Sequence, residues 1–130
     1  MSVAIEKLYE QARAEGLEVA LPGPRDIFVD LDQAQDQYVM EALLPILAQN
    51  GFPVTVKKIT RSRSGNKHAY LEALEDLDDL TRLLLQACLG SDRKRELLGF
   101  LRAHLGKDSG YATAFFEVPK PTPITEEVPL

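Results

Sequence analysis

The chain has one cysteine, Cys88, in 130 residues, which excludes an internal disulfide. With only two histidines beside it, the sequence holds no ligand set for a structural zinc. Cys88 sits in the apolar run of residues 83–89, a setting that predicts a buried, unreactive thiol. No apolar run approaches the ~20 residues needed to span a bilayer. The first seven residues lack the basic stretch and hydrophobic stretch of a secretion signal, so the expectation is a soluble cytoplasmic protein with no membrane partner. A Walker-type phosphate loop is absent as well. So is an excess of positive charge: the net charge of -5 argues against a protein that coats nucleic acid through bulk electrostatics.

What is present fits one domain. A hydrophobic content of 45% is enough for one modest core. We expect a single domain over residues 1–118, followed by a flexible tail at 119–130 marked by Pro119, Pro121, Pro123 and Pro129. The cations are clustered. Lys57, Lys58, Arg61, Arg63 and Lys67 fall in one stretch without an acid, and Arg93, Lys94 and Arg95 form a second group. Each cluster also has a plain reading as a solvated face.

Apolar residues Val3, Ile5, Leu8 and Ala12 predict a short amphipathic helix ending before Gly16. Residues 26–32 alternate as a strand, with Ile27, Val29 and Leu31 on one face and Phe28, Asp30 and Asp32 on the other. A helix follows over 33–50, with Pro45 inside it and Asn50-Gly51 as its terminator. Residues 52–60 and 68–73 read as a hairpin around a turn at 62–66, which puts His68, Tyr70 and Glu72 on one face. Residues 80–105 are helical with a break near Gly90, after which Ser91 is suited to cap the second segment. A last strand is expected over 113–118. The order strand, helix, strand, strand, helix, strand is the βαββαβ pattern of an α+β, RRM-like or ferredoxin-like antiparallel sheet, here with an extra N-terminal helix. In that arrangement the first and third strands are central, the fourth flanks the first, and the helices cover one face. The open face then carries Asp30, Asp32, His68 and Tyr70, with Glu117 from the last strand.

Two carboxylates at i and i+2 of a strand point the same way, and paired hard oxygen ligands suit magnesium or manganese. With Glu117 as a third acid, Asp30 and Asp32 are candidates to hold one or two such ions for in-line phosphoryl displacement. His68, Lys67 and the backbone at Gly65 suit a triphosphate tail. Arg61 and Arg63 suit guidance of a polyanion or a single-stranded template, and the Tyr70 ring suits base stacking.

The strand ending Asp30-Leu31-Asp32, followed by Ser64-Gly65-Asn66-Lys67-His68-Ala69-Tyr70, resembles the first two motifs of the archaeo-eukaryotic primase superfamily. The likeness is to its primase-polymerase branch from plasmids and phages, which joins a hydrophobic D-h-D strand to S-G-x-x-H-x-Y on an RRM-like core. The resemblance covers about residues 26–118, its specific part being about seven positions. It implies metal ligation by Asp30 and Asp32, a third acid at Glu117, and contact between His68 and the phosphates of an incoming nucleoside triphosphate. Ser64 and Gly65 would belong to the nucleotide-binding turn. Other replication proteins would then be partners of so short a chain.

Several of these residues have a second reading. Asp32, with Gln35 three residues on, suits the N-cap of the following helix. Asp30 and Glu117 fit a solvated sheet face, His68 an exposed strand position, and Tyr70 ordinary sheet packing. His104, near a helix end, is explained by the helix dipole. Three function classes follow: a metal-dependent primase-polymerase nucleotidyltransferase, a non-catalytic module that binds nucleic acid or a protein, and a metal-dependent nuclease built on the same acids.

Overall fold

The computed structural model describes residues 3–107 and 113–119. In order along the chain the elements are α1 (Val3–Ala14), β1 (Glu18–Ala20), β2 (Asp26–Leu31), α2 (Ala34–Gln49), β3 (Val54–Arg61), β4 (Lys67–Ala73), α3 (Asp79–Cys88), α4 (Arg93–His104) and β5 (Phe115–Glu117). This is a mixed α+β structure with antiparallel sheets.

Alternation decides which side of each strand is dry. Ile27, Val29 and Leu31 of β2 share a face with Ala69 and Leu71 of β4 and Ile59 of β3, and all are buried with Met40 of α2 and Leu89. Leu43, Leu44 and Leu47 of α2 and Leu85 of α3 pack on this core. The central sheet has the order β2-β4-β3, both pairs antiparallel. In β3 the register slips between Val56 and Lys58. The extra residue lets Val54, Val56 and Ile59 all meet the helical layer and frees Lys57 to pair with Asp26 at 2.8 Å. The β3–β4 turn closes with Ser62 N–H donating to the Asn66 carbonyl at 2.7 Å, and Gly65 takes a φ of 95° that favours glycine there.

β2 lies at the edge of this sheet, and its outward backbone groups are all engaged. Arg82 Nε donates to the Asp26 carbonyl at 2.9 Å, and Arg95 Nη1 to the Phe28 carbonyl at 3.1 Å. Phe28 N–H donates to Gln86 Oε1 and Asp30 N–H to Ser91 Oγ, each at 2.9 Å. The Asp92 amide donates to the Asp30 carbonyl at 3.0 Å. Thus α3, α4 and their junction occupy the position of a further strand. The polar residues Arg82, Gln86, Ser91 and Glu96 are buried in consequence.

This differs from the expected sheet, in which the last strand flanks the first of the βαββαβ set. β5 instead pairs antiparallel with β1, a strand too short for its periodicity to be read, with Val19 opposite Phe116. Other expectations also shift. Ser91 is used by β2, and Asp92 caps α4 by accepting from Arg95 N–H at 3.0 Å. Cys88 is exposed, because Leu83 and Leu89 take the inward positions around it. α2 is capped from Gln33, whose N–H donates to Asp36 at 2.9 Å, so Asp32 is not its cap. The tail beyond residue 119 lies outside the described residues.

Gln86 is wholly buried, accepting from Phe28 and donating to Glu96 at 2.8 Å. Gln86→Leu keeps the apolar body but orphans both partners, at a cost of about 1–3 kcal/mol for each buried group left unpaired. Chemical denaturation is expected to show a drop of at least about 2 kcal/mol with an unchanged m-value. A change below about 0.5 kcal/mol would mean that β2's edge is held by other groups.

Candidate functional site

The face of the central sheet turned away from the helices carries Phe28, Asp30, Lys58, Thr60, His68 and Tyr70. Sequence reasoning expects this face to be open. In the structure β5 lies over part of it, so that Phe28, Tyr70 and Phe115 form a second, aromatic cluster with Ala20 packed beside it. Tyr70 meets Phe28 edge-on at 4.8 Å, Phe28 stacks on Phe115 at 5.1 Å, and the Lys58 ammonium sits 4.7 Å above the Tyr70 ring. The Tyr70 ring is therefore taken up in sheet packing rather than offered to a base.

Glu117 is the hub of this face. Its Oε2 accepts from Thr60 Oγ1 at 2.9 Å and from the Tyr70 hydroxyl, and lies 3.0 Å from His68 Nδ1. Burial alone would raise the Glu117 pKa, but the bonds from His68, Tyr70 and Thr60 outweigh it and hold the carboxyl below its ordinary value. Tyr70 shifts the other way, raised by burial and by its bond to a carboxylate. A proton on Nδ1 shared with Glu117 fixes the His68 ring and leaves Nε2 to the opposite side. The ring is held as well by stacking on Phe115 at 3.9 Å, and the Arg95 guanidinium lies 4.6 Å from the same phenyl ring.

On that opposite side is Asp30, the cross-strand partner of His68. His68 Nε2 is 4.0 Å from Asp30 Oδ1, and this buried oxygen accepts no hydrogen bond. Burial raises the Asp30 pKa, opposed by His68 and Arg95. Asp32, just past the strand, is exposed and accepts from Asn66 Nδ2 at 3.1 Å. Its pKa is pushed up to about 6 by partial burial, by the charge of Asp30, and by a hydrogen bond and charge from Asp92. Asp92 is thus a third acid beside the Asp30 and Asp32 pair, one that the sequence pattern did not single out. Its only signal is its place just after the helix break.

Asp30 and His68 open onto a cleft of about 320 Å3, which is also lined by Ser62, Arg63, Ser64, Asn66 and Arg95. The cleft thus gathers Asp30, His68, Ser64 and Arg63 from the predicted residues and adds Arg95. Arg95 is largely engaged already, by the Phe28 and Thr113 carbonyls, Ser91 and Glu96. Arg63 pairs with Glu15 at 2.7 Å at the surface.

The remaining predicted residues stand apart from the cleft. Lys67 points through the sheet to Gln37 of α2 at 2.9 Å. Arg61 donates to the Gly65 carbonyl, and the Gly65 amide is spent on Ser62 O. Among the described residues no group of three or more His, Cys, Asp and Glu side chains is placed to hold a metal ion. Asp30, whose Oδ1 is buried and unpartnered, with Asp32 two residues on matches the one or two protein carboxylates that magnesium commonly takes while completing its shell with water and phosphate oxygens; Glu117 Oε1 is likewise buried and unpartnered.

The raised pKa of Asp32 fixes a sign. The folded protein holds this proton more tightly than the unfolded chain, so the neutral side chain favours folding. That contribution is complete below about pH 4 and is lost as pH rises through about 6. Asp32→Asn, neutral throughout, is expected to raise Tm at about pH 7.5 and to leave it nearly unchanged at about pH 4. Equal shifts at both pH values would show that charge repulsion around Asp32 is not the cause. No protein-family model matches this sequence, and no curated protein or solved structure matches it, so the functional reading depends on the geometry of this site.

Proposed function

We propose that this chain is a primase-polymerase-like nucleotidyltransferase domain. In this reading it is an RRM-like variant that binds a nucleoside triphosphate with magnesium or manganese at the cleft between β2 and the β3–β4 turn, and it works in the cytoplasm with a single-stranded template and other replication proteins. The observation that carries the reading is the pairing of Asp30 with His68 across β2 and β4, at the mouth of a polar cleft, with Asp30 Oδ1 buried and without a hydrogen-bond partner. The resemblance of Asp30-Leu31-Asp32 and of the stretch from Ser64 to Tyr70 to the primase superfamily motifs supports it.

In this reading Asp30 holds the ion from the cleft, joined by Asp32 from just outside its lining, where Asn66 bonds it. Bound there and to the phosphates, the ion would neutralise the charge that builds up as a 3′-hydroxyl displaces pyrophosphate. His68 presents Nε2 to a phosphate oxygen, its ring fixed by the Nδ1 contact to Glu117 and by Phe115. Glu117 orients His68 through Oε2, which takes three donors, and keeps Oε1 buried and unpartnered. Ser64, Asn66 and Arg63 supply donors for the outer phosphates.

Isothermal titration with deoxynucleoside and ribonucleoside triphosphates tests this, with manganese present and then chelated. Metal-dependent binding is expected in the wild type and is expected to vanish in Asp30→Asn, whose Tm should not fall, because a buried charge has been removed. His68→Ala should weaken binding on the order of ten- to a hundred-fold, the loss of one hydrogen bond to a charged group. Binding that survives both metal removal and Asp30→Asn would sink the reading. Where binding holds, primer extension separates nucleotidyl transfer from hydrolysis, since a nuclease shortens the same labelled strand.

A further inference from the structure

α4 is turned inside out for a helix so rich in leucine. Its buried residues are Glu96 and Gly99, while Leu97, Phe100 and Leu101 face outward beside Leu80 and Leu84 of α3. These five side chains are 44% to 65% exposed. Between α3 and α4 runs an apolar groove of about 580 Å3, with Leu80 and Phe100 near one end and Ala87 and Arg93 near the other. The helices therefore run antiparallel, as their four-residue connection at 89–92 requires. Monomers rarely expose a contiguous apolar patch of more than a few hundred Å2.

We infer that this face is the interface of a homodimer, in which two copies of the α3–α4 hairpin form a four-helix bundle about a two-fold axis parallel to the helices. The inference is independent of the nucleotide reading. Two observations, shape and charge, select a second copy as the occupant. The surface is self-complementary in shape: Leu80 and Leu84 stand as a ridge on α3 beside the groove that α3 makes with α4, so each copy offers a ridge and a receiving groove.

Size bounds the strength of the pairing. Helices of 10 and 12 residues side by side present a face about 15–18 Å long and about 20 Å wide. That is a flat footprint of about 300–360 Å2, well under the ~800 Å2 per partner of a standard interface, so the dimer belongs to the small, weaker class.

Charge then chooses the axis. Asp78 at the start of α3, beside Asp76 and Asp79 that already pair with Arg25 and Arg82, lies at the same end of the hairpin as Arg102 and Lys107 at the close of α4. A two-fold parallel to the helices sets α3 of one copy antiparallel against α4 of the other, acids over cations. It also places Arg93 and Lys94 over the C-terminal end of the partner's α3, where the helix dipole favours positive charge. A two-fold across the helices would put Arg93 and Lys94 over the cations that close α4, and repulsion opposes it.

Sedimentation equilibrium of the full chain tests the inference. The expected mass is twice 14.5 kDa. Leu84→Glu and Leu97→Glu, both at exposed positions, should leave the thermal melt of the monomer unit intact and raise the dimer dissociation constant at least about thirty-fold. His104→Glu combined with Lys107→Glu should weaken the dimer severalfold; strengthening would overturn the proposed axis. A wild-type chain that stays monomeric at about millimolar concentration would overturn the inference, the face then belonging to a different partner. A dimer indifferent to Leu84→Glu and Leu97→Glu would overturn it equally, because the contact would lie elsewhere.

Discussion

The outer edge of β2 has Asp26, Phe28 and Asp30 turned away from β4, so their carbonyls and two of their amides need partners that no neighbouring strand supplies. Arg82, Gln86, Ser91, Asp92 and Arg95 supply them. Unpaired backbone groups at a buried edge cost about 1–3 kcal/mol each, so this row of bonds fixes where α3 and α4 can lie. It also closes the place that the last strand of an RRM-like sheet would take. β5 pairs with β1 instead and crosses the face of the central sheet, which is how Phe115 and Glu117 come to lie on His68 and Tyr70.

The site inherits its electrostatics from that closure. Asp30 has its backbone tied to Ser91 and Asp92 and its side chain half-withdrawn from solvent. His68 and Arg95 oppose the burial penalty on its carboxyl. Asp32 and Asp92 crowd the same end of the strand with negative charge. Glu117, in contrast, takes three donors on Oε2 that hold its carboxyl below its ordinary value, while its Oε1 is buried without a partner. Two carboxylates a few residues apart in space therefore have opposite needs. Glu117 has its charge met by three donors on Oε2 although its Oε1 is buried without a partner, whereas the Asp30 and Asp32 pair, both raised in pKa, gains from any cation brought to it.

What could be read from the sequence followed the strength of the local signal. Alternation in 26–31, broken at Phe28, and a glycine turn at Gly65 define β2, β3 and β4, and with them the cross-strand pair of Asp30 and His68. β1 has three residues, too few for any period to show. In the leucine-rich stretch at 80–89, Arg82 and Gln86 sit four apart and look like the solvent side of an amphipathic helix. They are the buried side because an edge strand needs their polar groups more than the core needs more leucine. The exposure of Cys88 and the use of Ser91 by β2 rather than by α4 follow from the same inversion, which depends on contacts distant in sequence. Lys67 fell on the helical side for the opposite reason: alternation within β4 is strict, so a neighbour of His68 cannot share its face.

The inversion has a second consequence on the far side of the same helices. Asp92, Arg95 and Glu96 must face β2 and α3 for the edge to be satisfied, and 3.6 residues per turn then carry Leu97, Phe100 and Leu101 to the outside. A helix cannot satisfy a strand edge with its polar stripe and also bury a broad apolar stripe in the same small core. Exchanging the two stripes would bury the leucines but leave the Phe28 and Asp30 backbone groups unpaired, a loss that burial within one chain does not readily offset. The apolar outer face of α3 and α4 is therefore a consequence of how the sheet ends, and a second layer of helices is the arrangement that lets both stripes be used.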